Sequence, residues 1–244
     1  SFVVKHLHAR GRADAKALTR SIRAFLRFLV AEGRVMPDLE ACVPTVPQWQ
    51  LSSLPRYLAP SDVEKVLATC DETTPHGLRD HAILLLLARL GLRANDIVMM
   101  TLAQIDWRSG TLRVVGKTRR ESLLPLPQEV GGALLAYLER GRPAASIDRV
   151  FLAMNAPFRP FTTSSTVSSV VRLALKRSGI ENPPSRGAHL LRHSAATAML
   201  RSGSSLEVIA SVLRHKSPDM AAYYAKVDVG TLGLVVQPWA GGAR

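Results

Sequence analysis

The sequence predicts a mainly α-helical chain that carries one small antiparallel β-sheet. Three observations carry that expectation. Apolar residues recur at helical spacing near the N-terminus and again through most of the C-terminal half. Helix-capping signatures stand where several of those runs begin. Between positions 104 and 126 the pattern changes to short alternating runs separated by turn residues.

Taken in order, the first element spans Asp14 to Gly33, where Leu18, Ile22, Phe25, Leu26, Leu29 and Val30 fall on one helical face. Arg20, Arg23 and Arg27 lie off that face, as a solvated surface or as contacts to phosphate. Pro37, Pro44, Pro47, Pro55 and Pro60 then disfavour long regular elements, which sets a linker and a boundary near residue 57. The expected domains are therefore 1–57 and 58–244. Ser61-Asp62-Val63-Glu64 reads as a capping box opening a short helix to about Cys70. A buried helix from Gly77 to Leu90 follows, ended by Gly91. Arg93 stands at the mouth of the next helix, about Ala94 to Met100. Strand signals come at Gln104–Trp107, Thr111–Val115 and Ser122–Leu126, with a turn at Arg108-Ser109-Gly110 and a basic turn at Gly116–Arg120. The remainder is helical: about Pro127–Arg140, Thr163–Ser178, Gly187–Arg201, Leu206–Arg214 and Pro218–Ala225. Ser204-Ser205-Leu206-Glu207 is a second capping box, and Ser217-Pro218 pairs an N-cap with proline at the first helical position.

The chain has 244 residues, with 32 Lys+Arg against 19 Asp+Glu, a formal net charge of +13. With 47% apolar and 21% charged residues it has an ordinary globular composition, so the charge excess belongs to a folded protein. Its expected use is attraction to a polyanion, nucleic acid ahead of a membrane surface. The longest apolar stretch, Ala82 to Ala88, is about a third of a membrane span and ends at Arg89. No secretory signal opens the sequence. Cys42 and Cys70 are too few for a disulfide framework or a four-thiolate zinc site, and they fit a reduced, cytoplasmic setting. A start at Ser1 without an initiator Met leads us to expect a fragment or a processed chain.

The strongest local constellation is Gly187-Ala188-His189-Leu190-Leu191-Arg192-His193. On a helix, His189 and Arg192 are i and i+3 and can address one phosphate. His189 and His193 are i and i+4, which invites a zinc reading, but the segment has no neighbouring Glu base and no acidic third-ligand pattern. By itself the segment also fits a helix with surface histidines. Further along come Leu213-Arg214-His215 and, nine residues after His215, Tyr224. Upstream lie Leu90-Gly91-Leu92-Arg93-Ala94-Asn95-Asp96 and the basic turn with Gly116-Lys117.

This ordered set resembles the tyrosine recombinase (phage integrase) family. The shared features are an Arg in a Gly-Leu-Arg turn with an acidic residue three later, a Lys after Gly in a β-hairpin turn, His-x-x-Arg, a further His, and a Tyr nine residues on. The match runs from about Leu58 to Trp239. The chain departs from the usual pattern at Asn95-Asp96 (commonly Ser-Glu), at Arg214 (commonly Gly), and at Met220-Ala221-Ala222 (commonly Thr-rich). The Lys117 turn also lacks a second glycine.

The resemblance implies a catalytic tyrosine recombinase domain preceded by the last part of a helical core-binding domain. It implies that Arg93, Lys117, His189, Arg192 and His215 form the active site, with Tyr224 as nucleophile and Asp96 in support. The residue types suit that chemistry. Attack on a phosphodiester builds negative charge that two guanidinium groups clamp. A tyrosine with a pKa near 10 is only about 0.1% phenolate at pH 7, so it needs a base or a cationic pocket. His189 can take its proton, Lys117 can protonate the departing 5′ oxygen, and His215 can hydrogen-bond the phosphate. Tyr223 competes with Tyr224, but adjacent helical residues diverge by about 100°, and the spacing from His215 favours Tyr224. Arg113, Arg119 and Arg120 join Arg20, Arg23 and Arg27 as candidates for the DNA backbone. The expected partner is double-stranded DNA, with no cofactor, no metal and no membrane. The apolar set Leu232, Leu234, Val235 and Val236 in the tail packs on its own domain or, as in the family, docks on a neighbouring subunit of a DNA-bound tetramer. With only about 57 residues ahead of the catalytic unit, DNA binding should be weaker and more salt-sensitive than a full clamp gives. Type IB topoisomerase-like relaxation and a non-catalytic basic DNA-binding protein stand as the alternatives.

Overall fold

The run Ala82-Ile83-Leu84-Leu85-Leu86-Leu87-Ala88 has no polar side to turn to water, and the fold is built around it. The computed structural model describes residues 12–45, 55–115, 121–214 and 224. The chain divides into two compact units, Ser1–Ser53 and Leu54–Arg244.

In the first unit, α1 (Arg12–Ala31) is followed by a 3₁₀ turn, Pro37–Glu40. The small residues Ala15 and Thr19 are the buried ones on α1, whereas Phe25 and Phe28 remain more than half exposed. The expected apolar face is therefore only partly covered among the described residues. One helix and one turn offer too little surface to cover it.

The second unit opens with α2 (Pro60–Leu67) and α3 (Pro75–Ala88). α2 starts before the Ser61 capping signature, and α3 before the expected Gly77. Ala59 and Thr74 are the N-caps, and Pro60 and Pro75 take the first helical positions, where a fixed φ and a missing N–H cost nothing. Ser61 thus lies inside the first turn of α2. Gly77 is required in α3, because a Cβ there would meet the Asp71 carbonyl oxygen at 1.9 Å. Thr74 Oγ1 accepts the Gly77 N–H at 3.1 Å. From Ala82 to Leu87 every side chain is fully buried, each leucine contributing about 1.5–3 kcal/mol relative to exposure.

Next come α4 (Ala94–Met99) and a three-stranded antiparallel sheet of order β1 (Ile105–Asp106), β2 (Thr111–Val115) and β3 (Glu121–Pro125). Leu112 pairs with Ile105 on one side and Leu124 on the other, so all three side chains point into the core. Then follow α5 (Gln128–Ala136), α6 (Ser164–Arg177), α7 (Ala188–Arg201) and α8 (Leu206–Val212). The helix expected to run unbroken to Arg140 instead finishes in a π-helical turn, Tyr137–Gly141. There Tyr137 stacks on Phe151 at 5.5 Å and its hydroxyl accepts the Leu152 N–H at 3.3 Å. Helix α3 is the hub, packed by α2, α5, α6 and α7. A smaller cluster of Ala196, Ile209, Leu213 and Tyr224 joins α7 to α8. Tyr224 is helical; the rest of the helix expected at Pro218–Ala225, the Gly116–Arg120 turn and the apolar tail lie outside the described residues.

No helix among the described residues is long and apolar enough to cross a membrane.

Candidate active site

Gly91 begins the site. It sits at φ +58°, and a Cβ there would come within 2.5 Å of Leu213 Cδ2. Only glycine meets both demands at no cost, and the turn it permits aims the chain from α3 into α4. Arg93 is the N-cap of α4, and its backbone N–H donates to Asp96 Oδ2 at 3.0 Å. The Arg93 side chain crosses to the end of α8, where Nη2 donates to the Arg214 carbonyl at 2.6 Å.

Arg192 lies on the inner face of α7, 5% exposed. Its two terminal nitrogens donate to the backbone carbonyls of Gly91 and Leu213. One guanidinium therefore ties together the turn before α4 and the end of α8. Burial, and then the Arg93 charge, push its pKa down to about 10, so it stays charged at neutral pH. Arg93 is also lowered, by burial first and by Arg214 second, against the pull of Asp96.

Tyr224 is 2% exposed and packs on Ala196, Ile209 and Leu213. Its hydroxyl lies 2.8 Å from His193 Nδ1, with the donor set by the histidine tautomer. The sequence reading placed His189 at this hydroxyl; the structure puts His193 there. His189 is one turn earlier on α7 and on the exposed side, its ring 6.2 Å from that of His193. The signal was present in the i, i+4 spacing of the two histidines, which suggested a shared face but not which ring pointed inward. Burial, His189 and Arg192 together lower His193 to about 4. His189 is also lowered, by desolvation and then by Arg192 and Arg93. Both rings are therefore neutral at pH 7. Among the described residues no three metal-ligating side chains gather.

Arg214 is the second residue that spacing alone did not single out. It stands at φ +52°, and its Nη2 pairs with Asp96 Oδ2, both side chains being at least nine-tenths buried. Arg93, Asp96, Arg192, Arg214, His193 and Tyr224 thus gather from three segments of chain. Lys117, His215, Arg119 and Arg120 lie outside the described residues.

The remaining backbone candidates fall apart by setting. Arg20 is exposed on α1, and Arg113 is exposed on β2. Arg23 instead donates to the Val43 carbonyl at 2.9 Å, and Arg27 forks onto Glu40 at 2.6–3.0 Å. Those two cations are engaged inside their own unit.

Residues 56–230 match the phage integrase family. A putative integrase/recombinase, y4rA, of Sinorhizobium fredii (strain NBRC 101917 / NGR234) is 44% identical over 243 residues, which cover all of this chain and 59% of that relative. A tyrosine recombinase XerD of Listeria innocua serovar 6a is 32% identical over 210 residues, 85% of this chain and 69% of the relative. The chain thus spans about six-tenths of the length of the first of these. Among solved structures, XerA recombinase superposes with a TM-score of 0.63 at 19% identity over 97% of this chain and 90% of that one. A lambda integrase dimer bound to a COC′ core site gives 0.68 at 21% identity over 91% of this chain and 61% of that one. At such identities the superpositions speak for a shared fold.

Proposed function

Because the chain belongs to the phage integrase family, we propose that it is the catalytic part of a site-specific DNA recombinase that cuts and rejoins DNA through Tyr224. The observation that carries the reading is the convergence of Tyr224 with the half-buried Arg93 and the buried Arg192. These residues stand far apart in sequence and come from the α4 turn, α7 and the segment beyond α8.

In this reading the Tyr224 oxygen attacks the scissile phosphorus, the bond to the 5′ oxygen breaks, and a 3′-phosphotyrosyl link forms. Arg93 and Arg192 neutralise charge on the non-bridging oxygens, where pre-placed donors in a dry site act most strongly. The Tyr224 hydroxyl has to leave His193 to reach a phosphorus, since it is buried against α7. A histidine whose pKa is near 4 is too weak a base to take a phenol proton outright, so His193 holds the hydroxyl until it moves, and His189 accepts the proton during attack. Lys117 donates a proton to the leaving 5′ oxygen, and His215 hydrogen-bonds the phosphate. Reversal with a new 5′-hydroxyl reseals the strand, the bond energy having been kept in the phosphotyrosine.

The remaining assignments follow the same reading. The first unit, Ser1–Ser53, belongs to a helical core-binding domain, Asp96 supports Arg93, and Arg20, Arg113, Arg119 and Arg120 are the candidates for the flanking backbone. Arg23 and Arg27 are weaker candidates because they are already paired. The partner is double-stranded DNA, and the apolar tail links protomers into a tetramer. A lambda integrase structure of that stoichiometry on a Holliday junction shares this fold at a TM-score of 0.67. The protein acts in the cytoplasm.

Incubation of the chain with a pool of nicked suicide duplexes tests this. A covalent protein–DNA adduct that survives denaturation is expected, and Tyr224→Phe should abolish it while DNA binding remains. An adduct that persists in Tyr224→Phe would refute the nucleophile. Relaxation of a supercoiled plasmid without exchange between duplexes would point to a topoisomerase-like activity instead.

A further inference from the structure

Arg214 is an expensive residue in its place. Its backbone lies in the left-handed region, where a Cβ crowds the following carbonyl. Its side chain is 9% exposed, and it pairs with an Asp96 that is 8% exposed. One contact does not satisfy it: Nε and Nη1 are buried and have no hydrogen-bond partner among the described residues. Buried guanidinium donors left unmade are among the costliest polar defects a fold can carry.

The surroundings say what is missing. Arg214 holds Arg93 from two sides, through its own carbonyl on Arg93 Nη2 and through Asp96, whose Oδ2 takes the Arg93 N–H. Arg192 reaches the neighbouring Leu213 carbonyl and feels Arg93, Arg214 and Asp96 electrostatically. Three guanidinium groups therefore share one carboxylate in a largely buried cluster. Imidazole carries no negative charge in either protonation state, so the nearby rings of His189 and His193 add no counter-charge. Among the described residues, a surplus of about two positive charges together with two unused N–H donors makes a site suited to an anion.

We infer that Arg214 is a third phosphate-binding guanidinium of this site, which braces Arg93 through Asp96 and offers its Nε–H and Nη1–H to a phosphate oxygen. This rests on the reading of the cluster as the pocket for a DNA phosphodiester. The ligand chemistry, a tetrahedral phosphate oxyanion, is shared by the DNA backbone and by free phosphate, so the two are tested separately.

The first arm uses inorganic phosphate and no DNA. Thermal unfolding of the chain is followed in phosphate and in chloride at matched ionic strength. The wild-type midpoint should rise with phosphate. Arg214→Gly, which also relieves the left-handed backbone, should weaken the apparent phosphate affinity at least about 10-fold. Because Arg214→Gly strands Asp96, Arg214→Gly/Asp96→Asn serves as the second variant. It removes one charge of each sign, leaves an amide oxygen for the Arg93 N–H, and should lose the phosphate response equally. A wild-type response in either variant, or no phosphate response in the wild type, overturns the inference.

The second arm measures adduct formation on suicide duplexes at saturating DNA. Arg214→Gly should slow it at least about 10-fold. An unchanged adduct rate removes Arg214 from the scissile phosphate. A wild type that shows the Arg214-dependent phosphate response but forms no adduct keeps the anion site and overturns the recombinase reading instead.

Discussion

The two units of this chain each contain an arginine–carboxylate pair, and the pairs differ in almost everything but chemistry. In the first unit Arg27 forks onto Glu40 with good geometry, yet the arginine side chain is 68% exposed. In the second, Arg214 and Asp96 meet in near-complete burial, beside two further arginines. Water screens the first pair and competes for its donors, so little energy depends on it. The second pair has given up its hydration, and each partner is tolerable only while the other is present. The lesson is that charge in the first unit decorates a surface, whereas charge in the second is part of the architecture around Arg93 and Tyr224.

Breaking the buried pair from the acidic side should give the largest effect. Asp96→Ala leaves Arg214 buried without a counter-ion and releases the Arg93 N–H, and is expected to cost about 3–5 kcal/mol in denaturant unfolding. Gly91→Ala should cost less, about 1–2 kcal/mol for a side chain at positive φ, with a further loss as Leu213 is displaced. Because Leu213 also packs on Tyr224, the same variant should slow adduct formation more than it weakens DNA binding, measured as single-turnover rate against affinity.

His193 predicts a pH signature. Its folded pKa is near 4, while an unfolded histidine titrates near 6.5. The unfolded state therefore binds more protons between those values, and stability falls as pH drops from about 6.5 to 4. Above that window the residue adds no pH dependence. His193→Leu should flatten this part of the acid unfolding curve, read as midpoint against pH. It should also slow adduct formation at pH 7, because the Tyr224 hydroxyl loses its contact with Nδ1 of the ring. At the other end of the scale, Arg27→Ala should leave the unfolding midpoint unchanged within error, and a large loss there would erase the contrast between the two units.

The helices around α3 and the three-stranded sheet are legible in the sequence because each is written over a short span. The unbroken apolar run of α3 announces a buried helix, and the alternation of Leu112 and Val114 announces a strand with one buried face. Helix starts are less legible where two local signals compete. Pro60 and Pro75 prevailed over the Ser61 capping box and over Gly77, since a residue already locked at helical φ loses the least entropy at the first position.

The sequence set the expectation of the fold class, and its motifs resemble the family that the matches then showed, with Arg93, His189, Arg192 and Tyr224 as the site residues that resemblance implies. Only the tertiary structure decided which groups meet. It set His193 rather than His189 on the Tyr224 hydroxyl, 31 residues away, and closed Arg214 onto Asp96 across 118 residues. The physical reason is that periodicity and caps act through neighbours within one or two turns. The strength of an ion pair or a histidine contact depends instead on how much water the surrounding fold removes, and no local stretch of sequence specifies that.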